Sequence, residues 1–299
     1  MKKKIKIPAK INLTLDVVGV KDGYHELRSL VTSVDIFDTI YAKDRSDEEI
    51  TVRFAGLSCG VSGENSLAGK AAELFKNRFG GKGFDIIIKR NIPSGGGLGG
   101  SSADAAGVLA CLKKLRFSEM TGEKKGKGTG AGARERELEA ELASIANSLG
   151  SDTAYMLNGG YAVLSGRGEN VQRLAESKKL YYLIVTGEAG VSSAECYKKY
   201  DEIGDSFAPV TSAALCALSR GGAKELSSFL KNDLYPAAAE ILPETAERLH
   251  DLSVFGAAAM TGSGSAVYGL YDSAQECDAV YRKLKSKYGK RLFKAKTVL

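Results

Sequence analysis

The segment from Ile92 to Leu115, IPSGGGLGGSSADAAGVLACLKKL, constrains the fold of this chain more than any other stretch. Apolar, mostly β-branched residues precede it at 84–88, which indicates a buried strand, and leucine and valine follow it at helical spacing. Five glycines within the six positions 95–100 separate the two elements. Glycine loses the most conformational freedom on folding, so this many would be costly in a simple connector. The order of strand, glycine loop and helix therefore predicts that a ligand approaches the loop backbone closely.

Phosphate is the ligand that suits this loop best. Amide N–H groups without side chains, followed by the partial positive charge of a helix N-terminus, attract phosphate oxygens. The two serine hydroxyls at the start of the helix can reach phosphate oxygens or a bound Mg²⁺. The residues predicted to hold the phosphates of a nucleotide are Pro93, Ser94, Gly95, Gly96, Gly97, Leu98, Gly99, Gly100, Ser101 and Ser102.

Three other interpretations of the loop are weaker. Gly95, Gly97 and Gly100 satisfy the dinucleotide pattern G-x-G-x-x-G, but Glu119, at about the place of the ribose-binding acid, lies in a polar segment and not at the end of a strand. An ATPase P-loop is excluded because no Gly-Lys-Ser/Thr follows the glycines. A tight turn without a ligand stays open as an alternative, although it would not need so many glycines.

Length and composition set broad limits. A chain of 299 residues predicts two domains, which we place at residues 1–163 and 164–299. Five cysteines without a C-x-x-C pair predict reduced thiols in the cytoplasm, and only two histidines exclude zinc sites that need several. The net charge of +6 is spread along the chain, which favours an anionic small molecule over nucleic acid, and no apolar run is long enough for a membrane span.

Periodicity along the chain predicts an α+β fold, because strands and helices alternate with antiparallel returns. Residues 117–133 contain almost no apolar anchors and predict an exposed, disordered connector. Strands are predicted at 3–7, 13–17, 30–40, 84–88, 161–164, 181–186, 266–270 and 292–298. Helices are predicted at 66–79, 101–115, 138–149, 194–200, 212–218, 223–230, 244–252 and 274–287.

Two polar positions are candidates for chemistry on local grounds. Lys10 lies two residues from Asn12, on the same side of a predicted strand, although most lysines are simply solvated. Asp152 follows the helix stop at Gly150 and precedes an apolar segment, which is an unusual place for a surface charge. It is a candidate general base, and capping of the next turn is an equally compatible role.

Three stretches together resemble the signature motifs of the GHMP kinases, a superfamily of small-molecule kinases. They are PAKINLTLDVVGVKDGYHEL, IPSGGGLGGSSADAA and MTGSGSAVYGLY, and their order and spacing also agree. The likeness extends from Lys6 to about Leu270. Within the superfamily, the DGYHEL segment and the LGSD segment at 149–152 are similar to the branch that acts on a cytidine diphosphate-linked polyol.

The resemblance implies a two-domain fold, with an N-terminal domain like ribosomal protein S5 domain 2 and a ferredoxin-like C-terminal domain. It implies that ATP, with Mg²⁺, phosphorylates the 2-hydroxyl of 4-diphosphocytidyl-2-C-methyl-D-erythritol. Lys10 and Asp152 match the catalytic pair, and residues 95–102 match the ATP phosphate loop. The implied substrate contacts are Tyr24 and His25 in the cytosine pocket, Tyr197 stacking on the base from the other side, and Asn12, Gly262 and Ser263. The metal ligands stay unassigned.

Two departures from the family pattern bear on nucleotide affinity more than on the reaction. The loop reads GGGLGGSSADAA where the family usually has GGGLGGGSSDAA, so Ser101 replaces a glycine and Ala103 replaces a serine. The stretch at 117–133 is an insertion. Alternatives are a mevalonate- or homoserine-type kinase, which has no use for a base pocket, and a non-catalytic nucleotide-binding homologue. We expect a cytoplasmic monomer or homodimer whose partner is a small molecule, with no nucleic acid and no membrane.

Overall fold

A computed structural model describes residues 2–57, 62–122, 131–176, 178–204 and 208–299, and for 118–122 and 131–134 it describes the backbone only. Within these ranges the strands are β1 (Lys2–Asn12), β2 (Thr14–Lys21), β3 (Tyr24–Asp44), β4 (Ile50–Gly56), β5 (Phe84–Arg90), β6 (Ala162–Gly166), β7 (Asn170–Arg173), β8 (Tyr181–Val185), β9 (Lys231–Asn232), β10 (Ala258–Met260), β11 (Val267–Tyr271) and β12 (Leu292–Lys296). The α-helices are α1 (Leu67–Phe79), α2 (Gly100–Gly122), α3 (Ala131–Leu149), α4 (Ser151–Met156), α5 (Ser193–Ile203), α6 (Thr211–Arg220), α7 (Ala223–Leu226), α8 (Tyr235–Ile241), α9 (Glu244–Ser253) and α10 (Ala274–Tyr288).

The chain forms two compact units built from interleaved segments. The first unit contains Met1–Pro8, Phe37–Ile92 and Gly100–Asn158. The second unit contains Ala9–Ile36, Pro93–Gly99 and Gly159–Leu299. The single boundary between residues 163 and 164 stays a prediction.

The first unit places α2 against a sheet. β5 pairs in parallel with β4 and antiparallel with the end of β3. The inward side chains of β5 alternate with outward ones, and Phe84, Ile86 and Ile88 are fully buried. Gly107 lets α2 approach this sheet, since an added Cβ would lie 2.4 Å from Cδ1 of Ile40. The start of α2, which carries the predicted phosphate-binding serines, is thereby fixed by a packed helix.

The second unit contains an antiparallel sheet with the strand order β10-β11-β8-β12. Along the chain these strands and their helices follow the sequence βαββαβ, which is the ferredoxin-like arrangement. That prediction is confirmed. The core of the unit includes Leu183, Val185, Val267 and Leu292. In the same unit, β3 pairs antiparallel with β2 and β6, and β2 pairs in parallel with β9.

The predicted connector at 117–133 is wrong at both ends. α2 continues to Gly122 and α3 begins at Ala131, while residues 123–130 lie outside the described ranges. One reason is Phe117, whose ring packs edge-on against Phe79 at 5.6 Å and supplies an apolar anchor. Once a helix is nucleated, each further residue adds a backbone hydrogen bond, so a polar composition does not stop it.

Candidate active site

The glycine loop, residues 93–99, is held in the second unit through its carbonyl groups. Four consecutive carbonyls accept hydrogen bonds from neighbouring segments. The donors and distances are Ser265 N to Gly95 O at 3.3 Å, Ala266 N to Gly96 O at 3.3 Å, Thr261 Oγ1 to Gly97 O at 3.4 Å and Lys10 N to Leu98 O at 3.0 Å. The loop is therefore anchored by the first and third motif segments together.

The amide groups of the loop point the other way. In a trans peptide the N–H is antiparallel to the preceding C=O, so carbonyls bound to the protein turn the next amides outward. Within the described part of the chain, the amides of Gly97, Leu98 and Gly99 donate no hydrogen bond. Gly95, Gly97 and Gly99 have φ values of 69°, 71° and 76°, and such alternation is typical of backbone concavities that bind anions. The loop fits phosphate oxygens.

Close packing requires glycine at two facing positions. An added Cβ at Gly97 would lie 2.1 Å from the carbonyl oxygen of Thr261, and one at Gly262 would lie 2.8 Å from the Cα of Gly97. Gly262 also has a positive φ of 60°. The predicted substrate residue Gly262 is thus a direct packing partner of the phosphate loop, and its substrate contact stays a prediction.

Lys10 is buried and held by Asn12. The Lys10 ammonium donates to Asn12 Oδ1 at 2.6 Å, and the same oxygen accepts from Gly262 N at 3.1 Å and lies 3.3 Å from Thr261 Oγ1. Asn12 Nδ2 donates to Ser29 Oγ at 2.8 Å. The surface-lysine alternative is therefore wrong, since Lys10 is only 4% exposed. These contacts position Asn12 and Lys10 together, whereas contact of Asn12 with a substrate stays a prediction.

Ser263 and Asn232 stabilise the turn that follows β10. Ser263 Oγ lies 3.0 Å from Ser193 Oγ. Asn232 Nδ2 donates to Met260 O at 3.0 Å and to Gly262 O at 2.8 Å. Sequence reasoning did not identify Asn232, because nothing around it marks a partner 28 or 30 residues away.

In the first unit, α2 presents the N-terminal end of a 23-residue helix, beginning at Gly100. Amides in the first turn of a helix have no preceding carbonyl to bind, and the helix dipole adds positive potential there. Ser101 and Ser102 lie in this turn, with Ser101 exposed and Ser102 half-buried. Both serines are placed where hydroxyls can add to amide donors.

Two buried carboxyl groups meet beside this helix start. Asp38 accepts from Asn91 N at 2.6 Å and from Ile92 N at 2.8 Å, and Asp104 accepts from Arg90 Nε at 2.7 Å. The remaining oxygens, Asp38 Oδ2 and Asp104 Oδ1, are buried without a hydrogen-bond partner among the described residues. A proton on either carboxyl would supply a missing donor and remove one of two buried negative charges, so we infer that the pair holds one proton. Burial raises the pKa of Asp104 to about 7 and also raises the pKa of Asp38.

A cavity of about 200 Å³ opens beside the same helix start in the first unit. Asn65, Ser66 and Leu67 line it from the start of α1, and Ser101 and Asp104 line it from α2. The remaining wall includes the ring of Phe54, with the Arg90 guanidinium 4.9 Å from the ring centre. Sequence reasoning missed this cavity; its only signal was the carboxylate of Asp104 inside an otherwise apolar helix.

Asp152 lies in the first turn of the short helix α4 of the first unit. The N-cap residue of α4 is Gly150, so Asp152 is not the cap residue of this helix. Its side chain is half-buried. Lys10 belongs to the second unit and Asp152 to the first, and their catalytic pairing stays a prediction.

His25 stacks directly on Tyr197 in the second unit. The ring centres are 4.8 Å apart and the rings are 18° from parallel, while Tyr200 packs edge-on against His25 at 5.9 Å. His25 Nε2 lies 2.7 Å from Asp201 Oδ1, a residue that sequence reasoning did not single out. Tyr197, Tyr200 and Asp201 recur at helical spacing on α5, which was the available signal. No ring fits between His25 and Tyr197 at this separation.

Tyr24 is separated from that stack. Adjacent residues of a strand point to opposite faces, so Tyr24 and His25 diverge from β3. Tyr24 is 57% exposed, and the Arg167 guanidinium lies 4.5 Å from its ring centre. A flat base can reach the exposed Tyr24 ring without displacing a buried group.

The described residues contain no group of three or more histidine, cysteine, aspartate or glutamate side chains that could hold a metal ion. No described helix has both the length and the apolar character needed to cross a membrane.

Comparisons with known proteins agree with the motifs. The family model of the GHMP kinases N terminal domain matches residues 66–162, and that of the GHMP kinases C terminal matches residues 214–290. A 4-diphosphocytidyl-2-C-methyl-D-erythritol kinase of Desulfitobacterium hafniense (strain Y51) is 37% identical over 281 residues, covering 91% of this chain and 88% of the relative. The protein of the same name from Clostridium tetani (strain Massachusetts / E88) is 33% identical over 303 residues, covering 99% and 100%.

Solved structures extend the comparison to three dimensions. A crystal structure of 4-(cytidine 5'-diphospho)-2C-methyl-D-erythritol kinase matches with a TM-score of 0.75 and 26% identity, covering 98% of both chains. The Methanococcus jannaschii mevalonate kinase matches with a TM-score of 0.67 and 15% identity, covering 100% of this chain and 99% of that one, a likeness of fold alone. The predicted α+β, two-domain GHMP kinase fold is confirmed. The chain belongs to the GHMP kinases and, within them, to the family of 4-diphosphocytidyl-2-C-methyl-D-erythritol kinases.

Proposed function

We propose that this chain transfers the terminal phosphoryl group of ATP to the 2-hydroxyl of 4-diphosphocytidyl-2-C-methyl-D-erythritol. The observation that carries the proposal is the glycine loop, whose carbonyls are bound to the protein while the amides of residues 97–99 have no acceptor within the described chain. The curated relatives bearing this activity in their names match over almost the whole chain.

Residues 93–102 bind the phosphates of ATP in this proposal. Outward amides and the first turn of α2 supply donors and positive potential, which phosphate oxygens match. The cavity lined by Ser101 and Asp104 takes the nucleoside end, because it opens beside the same turn. Mg²⁺, when bound, neutralises phosphate charge; few protein ligands are needed, since Mg²⁺ keeps several waters and phosphate oxygens.

Asp152 and Lys10 act on the two reacting groups. Phosphoryl transfer needs positioning and charge stabilisation more than covalent chemistry. Asp152 orients the 2-hydroxyl and accepts its proton, and the Lys10 ammonium stabilises charge on the transferring phosphoryl. The 2.6 Å bond to Asn12 supports this role for Lys10, because it fixes an otherwise flexible side chain.

Tyr24, His25 and Tyr197 recognise the cytosine at the start of β3, where a base lying across the end of the strand meets side chains from both of its faces. The exposed ring of Tyr24 supplies a stacking surface, and the His25 ring supplies a hydrogen-bonding edge fixed by Asp201. Tyr197 contacts the base on separating from the His25 ring, because a 4.8 Å distance between the two ring centres leaves no room for a base between them. The protein is proposed to work in the cytoplasm as a monomer or homodimer on a small-molecule substrate.

The test is ATP-dependent phosphorylation of three acceptors: 4-diphosphocytidyl-2-C-methyl-D-erythritol, mevalonate and homoserine. We expect turnover only with the first, dependent on Mg²⁺ and lost in Asp152→Asn. Comparable turnover with mevalonate or homoserine would assign the chain to a related kinase. Nucleotide binding without turnover of any acceptor would indicate a non-catalytic homologue.

A further inference from the structure

An open cleft of about 540 Å³ lies in the second unit, and none of the residues assigned above lines it. It is formed by α9, α10 and the segment after β8, and no residue of the glycine loop lines it. Its charged walls are Glu188, Glu244, Glu247, Arg248, Lys287 and Arg291. The proposed kinase reaction uses none of these side chains.

Arg248 is the buried cation of this cleft. It is 4% exposed, and its Nη2 donates to Thr245 Oγ1 at 3.0 Å and to Ser265 O at 3.2 Å. A guanidinium has five N–H donors, so three, on Nε and Nη1, have no acceptor among the described residues. No carboxylate of the described chain lies within 4.0 Å of its nitrogens. Two neutral acceptors, Thr245 Oγ1 and Ser265 O, are therefore the hydrogen-bond partners of Arg248 among the described residues.

A buried charge without a counter-ion is unfavourable. Arginine cannot lose its proton in a protein, so it cannot relieve burial by becoming neutral, as a lysine does. Burial is the largest influence on the pKa of Arg248 and lowers it, while the charges of Glu244 and Glu247 act in the opposite direction without a direct contact. An anion from solution would supply a direct ion pair and the missing acceptors.

The rim of the cleft differs from its interior. Lys287 is paired with Asp251, and Arg291 lies 3.5 Å from Glu188. Glu244 and Glu247 are exposed, so their carboxylates can turn to solvent and be screened. The donors that need an acceptor are therefore those of Arg248.

We propose that the cleft around Arg248 binds the phosphoryl group of a small molecule, at a site distinct from the glycine loop. A phosphoryl group presents three strong acceptor oxygens, which can accept from the two donors of Arg248 Nη1, whereas Nε is enclosed by the protein. A guanidinium matches such oxygens in pairs, which a lysine at this position would not do.

The experiment is isothermal titration of the full chain with inorganic phosphate, diphosphate and acetate. The protein is first saturated with Mg²⁺ and a non-hydrolysable ATP analogue, so that the glycine loop is occupied. Arg248→Met removes the charge and keeps the volume. Arg282→Met is the matched control, because Arg282 is exposed on α10 and does not line the cleft.

We expect Arg282→Met to bind phosphate and diphosphate with the same affinities as the wild type. Arg248→Met should bind each of them at least about tenfold more weakly, which is the loss that one charge-assisted hydrogen bond represents. Near-ultraviolet circular dichroism checks that each variant is folded. If Arg248→Met does not fold, Arg248→Lys replaces it, with the same direction expected because the fork is lost. Absence of phosphate binding in the saturated wild type overturns the proposal. So does equal binding by the Arg248 variant, or acetate binding as tight as phosphate.

Discussion

Asp38→Asn should remove a pH-dependent loss of stability from the first unit. The asparagine oxygen can still accept from Asn91 N and Ile92 N, which lie 2.6 and 2.8 Å from Asp38 Oδ1. The new Nδ2 would donate to Asp104 Oδ1, the buried oxygen that otherwise needs the shared proton. Asp104 could then stay ionised against Arg90, whose Nη2 lies 2.6 Å away. The variant therefore needs no bound proton.

Stability should fall with rising pH because folding raises the pKa of Asp104. The pKa of Asp104 is raised from 3.8 to about 7 in the folded protein, so the native state holds a proton that the unfolded state releases between these values. The bound proton contributes fully to the stability of the native state below the pKa of the unfolded protein. This contribution is lost as the pH rises through the pKa of the folded protein. A tenfold change in proton affinity corresponds to about 1.4 kcal/mol, so the loss is on the order of a few kcal/mol for this coupled pair.

Urea unfolding measured from about pH 5 to about pH 8 tests this. The free energy of unfolding of the wild type should fall across this range relative to that of Asp38→Asn, and the variant should be the more stable at the alkaline end. Asp85→Asn is a control of opposite sign, because ion pairing with Arg45 holds the pKa of Asp85 well below its usual range. The loss in free energy of unfolding of Asp85→Asn relative to the wild type should vanish only in acid, where Asp85 of the wild type becomes protonated. Parallel profiles for the wild type and Asp38→Asn would refute the shared proton.

Three further predictions concern the active site. Asp152→Asn should lower kcat by about a hundredfold with little change in KM for the polyol substrate, and adding Lys10→Met should cost little more, since the two are proposed to act as a unit; multiplying losses would argue against a pair. Gly97→Ala should raise KM for ATP, because its Cβ would lie 2.1 Å from Thr261 O, and an unchanged value would exclude the loop from ATP binding. Tyr24→Ala should raise KM for the cytidyl substrate by about one to two decades and leave KM for ATP nearly unchanged, whereas equal rises would place Tyr24 outside a base pocket.

Much of the fold could be predicted because its signals are local. The glycine loop lies between an alternating strand and a helix with apolar residues at helical spacing, and two strands of the ferredoxin-like sheet, β8 and β11, are apolar runs of ordinary length. Short elements gave no such signal. β9 has only two residues and exists because Thr14 and Leu15 of β2 offer it a parallel partner. Helix α4, with six residues, is too short for its period to be recognised.

The aromatic site shows why motif matching gives residues but not their arrangement. Tyr24 and His25 are neighbours in the sequence, which suggested one pocket, yet strand geometry sends them to opposite faces. His25 instead meets Tyr197 and Asp201, 172 and 176 positions further along the chain. Such pairs form only when β3 and α5 pack, and no local pattern in either segment specifies the register between them.

Asn12 explains why the first and third motifs and the glycine loop occur together in one chain. Its Oδ1 accepts from Lys10 and from Gly262 N, and its backbone N–H donates to Thr261 Oγ1 at 3.0 Å. Thr261 in turn donates to the carbonyl of Gly97, so one amide side chain connects the lysine to the phosphate loop through a single hydroxyl. Buried polar networks are stabilising when each member is satisfied and costly when one partner is removed. A change at any of these positions therefore shifts the lysine and the loop together, which constrains all three motifs as a set although they lie far apart in the sequence.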